Sequence, residues 1–178
     1  MKKIVLLLAV ILFSCKQKQE ESISNINVNY VSTSKRYGQL CKPPFYIIEK
    51  TFKNNELTMM VYKDTVSYKR VDTLKIYKNG KIIFNNLEVE KVDTKKVENK
   101  NKVISVQKIY IPHKDEISVD DFSGEIIYLT NDGILARYGV ASNYISLYKP
   151  NLYADLHNKI LYRKIDFKRH HEELEGKP

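Results

Sequence analysis

From residue 45 onward, apolar and polar positions alternate with a period of two through most of the chain. That spacing puts one face of a strand in a core and the other in water. Leu57, Met59 and Val61 alternate with Thr58, Met60 and Tyr62. Ile134, Ala136, Tyr138 and Val140 alternate with polar or small neighbours. Strand character also marks residues 45–52, 66–76, 82–92, 103–111 and 124–130, and residues 143–148 can add a short strand. Turn chemistry separates these runs: Pro43-Pro44, Asn54-Asn55, Asp64, Asn79-Gly80 and Asn131-Asp132-Gly133. Asn-Gly accepts the positive φ angles of a type I′ turn, so residues 78–81 are expected to close a hairpin of that type. Residues 93–102 are lysine-rich with little apolar content, as in a solvated loop or a protruding hairpin tip. Residues 113–123 carry Asp115, Glu116, Asp120 and Asp121 and suit a loop or one turn of helix.

After Pro150 the period changes. Leu152, Tyr153, Leu156 and Ile160 fall in one stripe at 3.6 residues per turn, and Phe167 rejoins it, which predicts a helix over about 151–168. Leu161, Ile165 and Phe167 also fit alternation, so a terminal strand is the alternative for residues 159–168. Short connections require antiparallel neighbours. The expected fold is therefore α+β: a mostly antiparallel sheet or partial β-barrel of about seven or eight strands, with one C-terminal helix on one side. A closed β-barrel is the alternative. Residues 16–36 are rich in Ser, Asn and Lys and read as a flexible tether, with a short strand available at 26–31.

The first residues follow neither period. Lys2 and Lys3 precede an unbroken apolar run at 4–13, and Ser14-Cys15 follow. As a helix the run is about 15 Å long, half a bilayer core, so it suits an export signal and not a permanent span. Leu12-Phe13-Ser14-Cys15 resembles the lipobox of bacterial lipoproteins, with Phe13 where a smaller residue is commoner. The resemblance implies cleavage before Cys15, a lipid-modified thiol and an acylated amino terminus. Three acyl chains, palmitate-like in length, would anchor the chain stably where one alone would not. An ordinary export signal with an incidental cysteine is the alternative. Lys16, in place of Asp after the cysteine, is compatible with transfer to the outer membrane, and the Lys/Gln/Glu cluster at 16–22 resembles some surface-export signals. The implied organisation is a signal peptide at 1–14, the lipidated cysteine and tether at 15–36, one globular domain at 37–169 and a polar tail at 170–178.

Composition narrows this picture without naming an activity. The chain has 178 residues and a formal charge of +9, or +7 without Lys2 and Lys3. A basic chain suits nucleic acid, anionic headgroups or acidic glycans. No compact basic helix or aromatic-basic repeat supports nucleic acid. With Cys15 lipidated, Cys41 has no disulfide partner and reads as a buried small residue. Neither CxxC, HExxH, EF-hand spacing, a Gly-x-Ser-x-Gly elbow nor a Gly-rich phosphate loop occurs, so no catalytic, cofactor or metal residue is assigned and an enzyme is not expected. His113, His157, His170 and His171 are expected at the surface, and the four acids of residues 113–123 as ordinary loop solvation or a helix cap. Thirteen tyrosines remain. Tyrosine rings together with flexible lysines can line a surface for a glycan or peptide, and Tyr128, Tyr138 and Tyr148 could form one; strand propensity alone also accounts for them.

The function these features imply is a membrane-anchored envelope lipoprotein, non-enzymatic, that binds an envelope protein or glycan. A periplasmic inhibitor or immunity-type protein is one alternative, with residues 93–102 and 113–123 as blocking loops. A small-ligand carrier with a barrel cavity is the other.

Overall fold

The computed structural model describes residues 20–32, 45–65, 71–112, 124–139 and 144–169. Among them, eleven strands form one antiparallel sheet: β1 Glu20–Ser32, β2 Phe45–Lys53, β3 Leu57–Asp64, β4 Val71–Tyr77, β5 Ile82–Phe84, β6 Leu87–Glu88, β7 Glu90–Asn99, β8 Lys102–Ile111, β9 Glu125–Thr130, β10 Gly133–Gly139 and β11 Tyr144–Tyr148. One helix follows, α1 Pro150–Leu161. Apart from β1 and β11, every paired neighbour is also a neighbour in sequence, the order of an up-and-down meander.

The meander bends back on itself. β1 pairs antiparallel with β11 from Val28↔Tyr148 to Ser32↔Tyr144. At the far side β6 and β7 are separated only by Val89, whose N–H donates to Ile82 O at 3.2 Å. One residue cannot reverse a chain, so β6 and β7 are one strand that pairs first with β5 and then with β8. Counted this way the eleven strands make ten around the circuit. An even number is what lets every neighbour be antiparallel, including β1 with β11. The sheet is thus a nearly closed barrel.

The strand count exceeds the expected seven or eight for three local reasons. Residues 20–32, expected to be tether with a short strand available at 26–31, are the longer strand β1, paired on both sides. Its Ile26 and Val28 face inward between Ser and Asn positions, so a polar composition hid a period of two. Residues 82–92 break at an Asn85-Asn86 turn with φ of 47° and 67°. Residues 93–102 are mostly strand; Lys100 and Asn101, at φ 48° and 64°, make the two-residue turn to β8. These two turns, and not Asn79-Gly80, have positive φ at both central positions, as type I′ requires. At the latter only Gly80 is positive (87°), and Gly80 N–H donates to Tyr77 O. That is a type I turn followed by a left-handed residue, the three-residue hairpin form.

Two cores lie on the two faces of the wall. The inner one joins Ile26, Val28, Ile47, Met60, Leu74, Phe84, Ile109, Ile127, Leu129 and Ile134 from both halves of the circuit. The outer one packs Tyr153, Leu156, Ile160 and Leu161 of α1 on Val106, Ile126, Leu135, Ala136, Ile145 and Leu147. β9, most of β10 and the C-terminal part of β8 are therefore buried on both faces, which explains the continuous apolar runs of β9 and β10.

The helix is shorter than expected. Tyr162 N–H donates to Asn158 O, Arg163 at φ 50° to Ile160 O, and Lys164 to Lys159 O. This left-handed C-terminal closure ends α1 at Leu161. Beyond it Phe167 packs on Tyr128 with ring centroids 5.2 Å apart. Lys168 N–H donates to Asp93 Oδ2 at 2.9 Å, and Lys108 Nζ donates to Lys168 O at 2.9 Å. Of residues 159–168, the first three finish α1 and the rest form a strap across β7, β8 and β9.

Candidate functional site

The two ends of the barrel differ. At one, strands join through short turns at 54–56, 78–81, 100–101 and 131–132. At the other, strand ends are joined by residues 33–44, 66–70, 113–123 and 140–143 and by the Asn85-Asn86 turn. Two of these connections, residues 33–44 and 113–123, are long, and long connections on a rigid scaffold are where binding residues concentrate. The loop-bearing end is therefore the candidate site, and the barrel interior beneath it is charged.

Arg137, two residues before the end of β10, is 8% exposed and points inward. Its guanidinium forks onto Glu125, the first residue of β9, with Nε–Oε1 at 2.8 Å and Nη2–Oε2 at 2.6 Å. Its Nη1 donates to Asp72 Oδ2 of β4 at 2.6 Å. Asn85 Nδ2 donates to Asp72 Oδ1 at 2.8 Å, and the Phe84 ring lies 5.3 Å from the guanidinium carbon. Burial works against the arginine's charge, but hydrogen bonding and attraction to Glu125, then Asp72, outweigh it and hold its pKa above the ordinary value. β4 and β10 are five strands apart in either direction around the circuit, so this ion pair crosses the barrel. One cation meets two carboxylates, and each of the guanidinium's three nitrogens donates within the protein.

A second cluster lies toward the short-turn end. Lys149, left-handed at φ 53° as the residue before α1, sends Nζ to Glu49 Oε1 at 2.8 Å and to Asp132 O at 2.7 Å. Tyr153 donates to Asp132 Oδ2 at 2.6 Å; burial and then that bond push its hydroxyl up to about 12. Ile134 N–H donates to the Tyr62 hydroxyl at 3.1 Å, tying β10 to β3 across the interior. Burial, then the charge of Glu49, raises the Tyr62 pKa. A side chain on Gly133 would meet Tyr62 Oη at 2.5 Å, and Gly133 sits at φ 110°, so glycine is required where the walls approach this closely.

His157, expected at the surface, is 2% exposed under α1, where Nε2 donates to Leu135 O at 3.0 Å. It takes this position because it shares the buried stripe of Tyr153 and Leu156. Burial lowers its pKa to about 4, with backbone hydrogen bonds from the site offsetting this only in part. The unfolded imidazole titrates near ~6.5, so between these values the unfolded chain holds the proton and the folded chain does not. Stability is accordingly full above pH ~6.5 and falls toward pH ~4, by up to about 3 kcal/mol from this group. Denaturant midpoints at neutral pH and at pH ~4.5 should converge more in the His157→Gln variant than in the parent. An equal acid loss in both chains would count against the assignment.

The three tyrosines singled out from sequence do not share a surface. Tyr148 faces the interior, edge-on to Tyr62 with centroids 6.1 Å apart. Tyr128 and Tyr138 stand on the outer face, stacked at 6.4 Å, with Tyr128 buried beneath Phe167. Pleat alternation separates them: each position was read as strand, but not which face it took. Cys15, Cys41, His113, Asp115, Glu116, Asp120, Asp121, His170 and His171 lie outside the described residues. Among the described residues no three His, Cys, Asp or Glu side chains gather as a metal ion would need. The Arg137–Asp72–Glu125 cluster was missed because its members are 65 and 12 residues apart and only the closure brings them together.

The fold and its charged interior define an up-and-down antiparallel barrel with one external helix. Comparison of the chain with protein-family models, with curated proteins and with solved structures gives no match.

Proposed function

We propose that the chain is an envelope lipoprotein, held at a membrane through lipid on Cys15, whose barrel is a non-enzymatic binding module for another envelope protein or a glycan. The outer membrane is the location that Lys16 favours. The observation that carries the binding-module reading over the carrier is the Arg137–Asp72 pair at 2.6 Å. A carrier of this kind needs an apolar cavity of roughly 300 Å³ or more. Here opposite walls meet through their own side chains, at Arg137 with Asp72 and again at Tyr62 with Ile134. A partner is then met outside the barrel. Tyr46 and Val71, 56% and 49% exposed at the loop-bearing end, offer apolar area there. In the inhibitor alternative, residues 93–102 would block as a hairpin turning at Lys100-Asn101. An anchor makes a second, weak encounter effectively intramolecular, so modest affinity suffices.

The test is Cys15→Ser. Expected is a shift of the protein from the membrane to the soluble fraction, with the parent's mature chain starting at residue 15 and carrying the mass of its acyl chains. A variant that still sediments with membranes would refute the lipid anchor. Mass spectrometry of proteins crosslinked to the parent in intact cells then identifies the partner.

A further inference from the structure

We infer that the barrel stands on the bilayer with its short-turn end down, lysines and apolar side chains of that end among the lipid headgroups, and its loop-bearing end facing away. The inference rests on the Cys15 anchor proposed above. Four residues separate Cys15 from the start of β1 at Glu20, so the two are at most about 17 Å apart when the link is fully extended. Glu20 is not free to travel. It pairs with Lys53 at the short-turn end, and β1 is hydrogen-bonded to β2 from there to Val28. β2 has nine residues, about 30 Å of strand, or some 20 Å of height at the tilt of a barrel. A link this short cannot carry the lipid past the height of the wall, so the short-turn end is the one brought to the membrane.

The chemistry of that end fits the position. Lys53, Lys78, Lys100 and Lys102 are exposed at its turns, and Lys81 is ion-paired with Glu88. Val103, Ile23 and Leu152, 71%, 59% and 52% exposed, belong to strand and helix segments at the same end. Long lysines beside apolar side chains suit the headgroup region, where the stem is buried and the ammonium meets phosphate. Glu20, Glu21, Glu56 and Glu98 share this end, so the contact is with phosphate and interfacial carbon together and not with a uniformly basic patch. The exposed Tyr46 and Val71 are then presented to the compartment, where a partner can reach them.

The chain has no tryptophan, so a single introduced one reports without background. The lipidated full chain carrying Lys78→Trp or Asn55→Trp, and separately Tyr46→Trp or Val71→Trp, is extracted and inserted in phospholipid vesicles with dansyl-labelled headgroups. Energy transfer is expected to be several-fold stronger from positions 78 and 55 than from 46 and 71. Equal transfer, or stronger transfer from 46 and 71, in chains that float with the vesicles overturns the orientation and leaves the anchor intact. Chains that carry no lipid and do not float refute the anchor, and the orientation with it.

Discussion

A chain beginning at residue 33 is expected to fail to fold, while one beginning at residue 20 folds to the parent structure. Composition alone would suggest the shorter chain as a harmless removal of tether. β1, however, is the strand through which the circuit closes, paired with β2 over nine positions and with β11 over five. Without it β2 and β11 become open edges, and Ile26, Val28 and Val31 leave the two cores. Burial of three such side chains is worth roughly 5–9 kcal/mol in all. That is comparable with the whole stability of a typical domain, about 5–15 kcal/mol. Thermal melting followed by far-ultraviolet circular dichroism checks it. A cooperative transition in the shorter chain within a few degrees of the longer one would mean that β1 is dispensable.

How much of this architecture was legible depends on which side chains carried the signal. β3 and β10 lie where the alternation put strands, but their faces differ from those expected: Met60 and Tyr62 are buried in place of Leu57, Met59 and Val61, and a register shift between Ile134 and Ala136 puts those two in different cores. Asn131-Asp132-Gly133 forms the hairpin expected of it, Thr130 facing Gly133. α1 begins at Pro150 as its period required, with Tyr153, Leu156 and Ile160 buried. What failed was composition used in place of period. Ser and Asn left only residues 26–31 of β1 readable as a short strand, and Lys and Glu left residues 93–102 readable as loop or hairpin tip, where the strands run on to a tip at Lys100-Asn101 and Val97 is buried. Both strands need few apolar side chains because only part of each covers a core. Asn85-Asn86 and Lys100-Asn101 are turns without glycine, in which asparagine tolerates the left-handed region.

The interior charges were not legible, for a different reason. A strand period shows that Arg137 and Asp72 each face one side of a sheet. Whether they face one another depends on closure, which is a property of β1 with β11 and of the single strand formed by β6 and β7. Only the ten-strand circuit makes β4 and β10 opposite. The same closure gives the two ends their characters, tight turns at one and long connections at the other.

The second large effect follows from that pairing. Arg137→Met is expected to destabilise the barrel by about 3–5 kcal/mol, because the buried Asp72 and the half-buried Glu125 are then left without their cation. The loss should exceed that of a core truncation of similar volume, since carboxylates that cannot reach water keep their desolvation cost. Arg137→Lys keeps the charge but not the planar fork onto Glu125, and should fall between the two. Replacing all three polar groups together, with Asp72→Leu and Glu125→Leu added to Arg137→Met, should recover most of the loss, since an apolar set removes the unmatched charges as well as the pair. Urea denaturation of the four chains decides the matter. If Arg137→Met costs under about 1 kcal/mol, the ion pair behaves as a solvated surface contact and cannot be the strut that holds the opposite walls together.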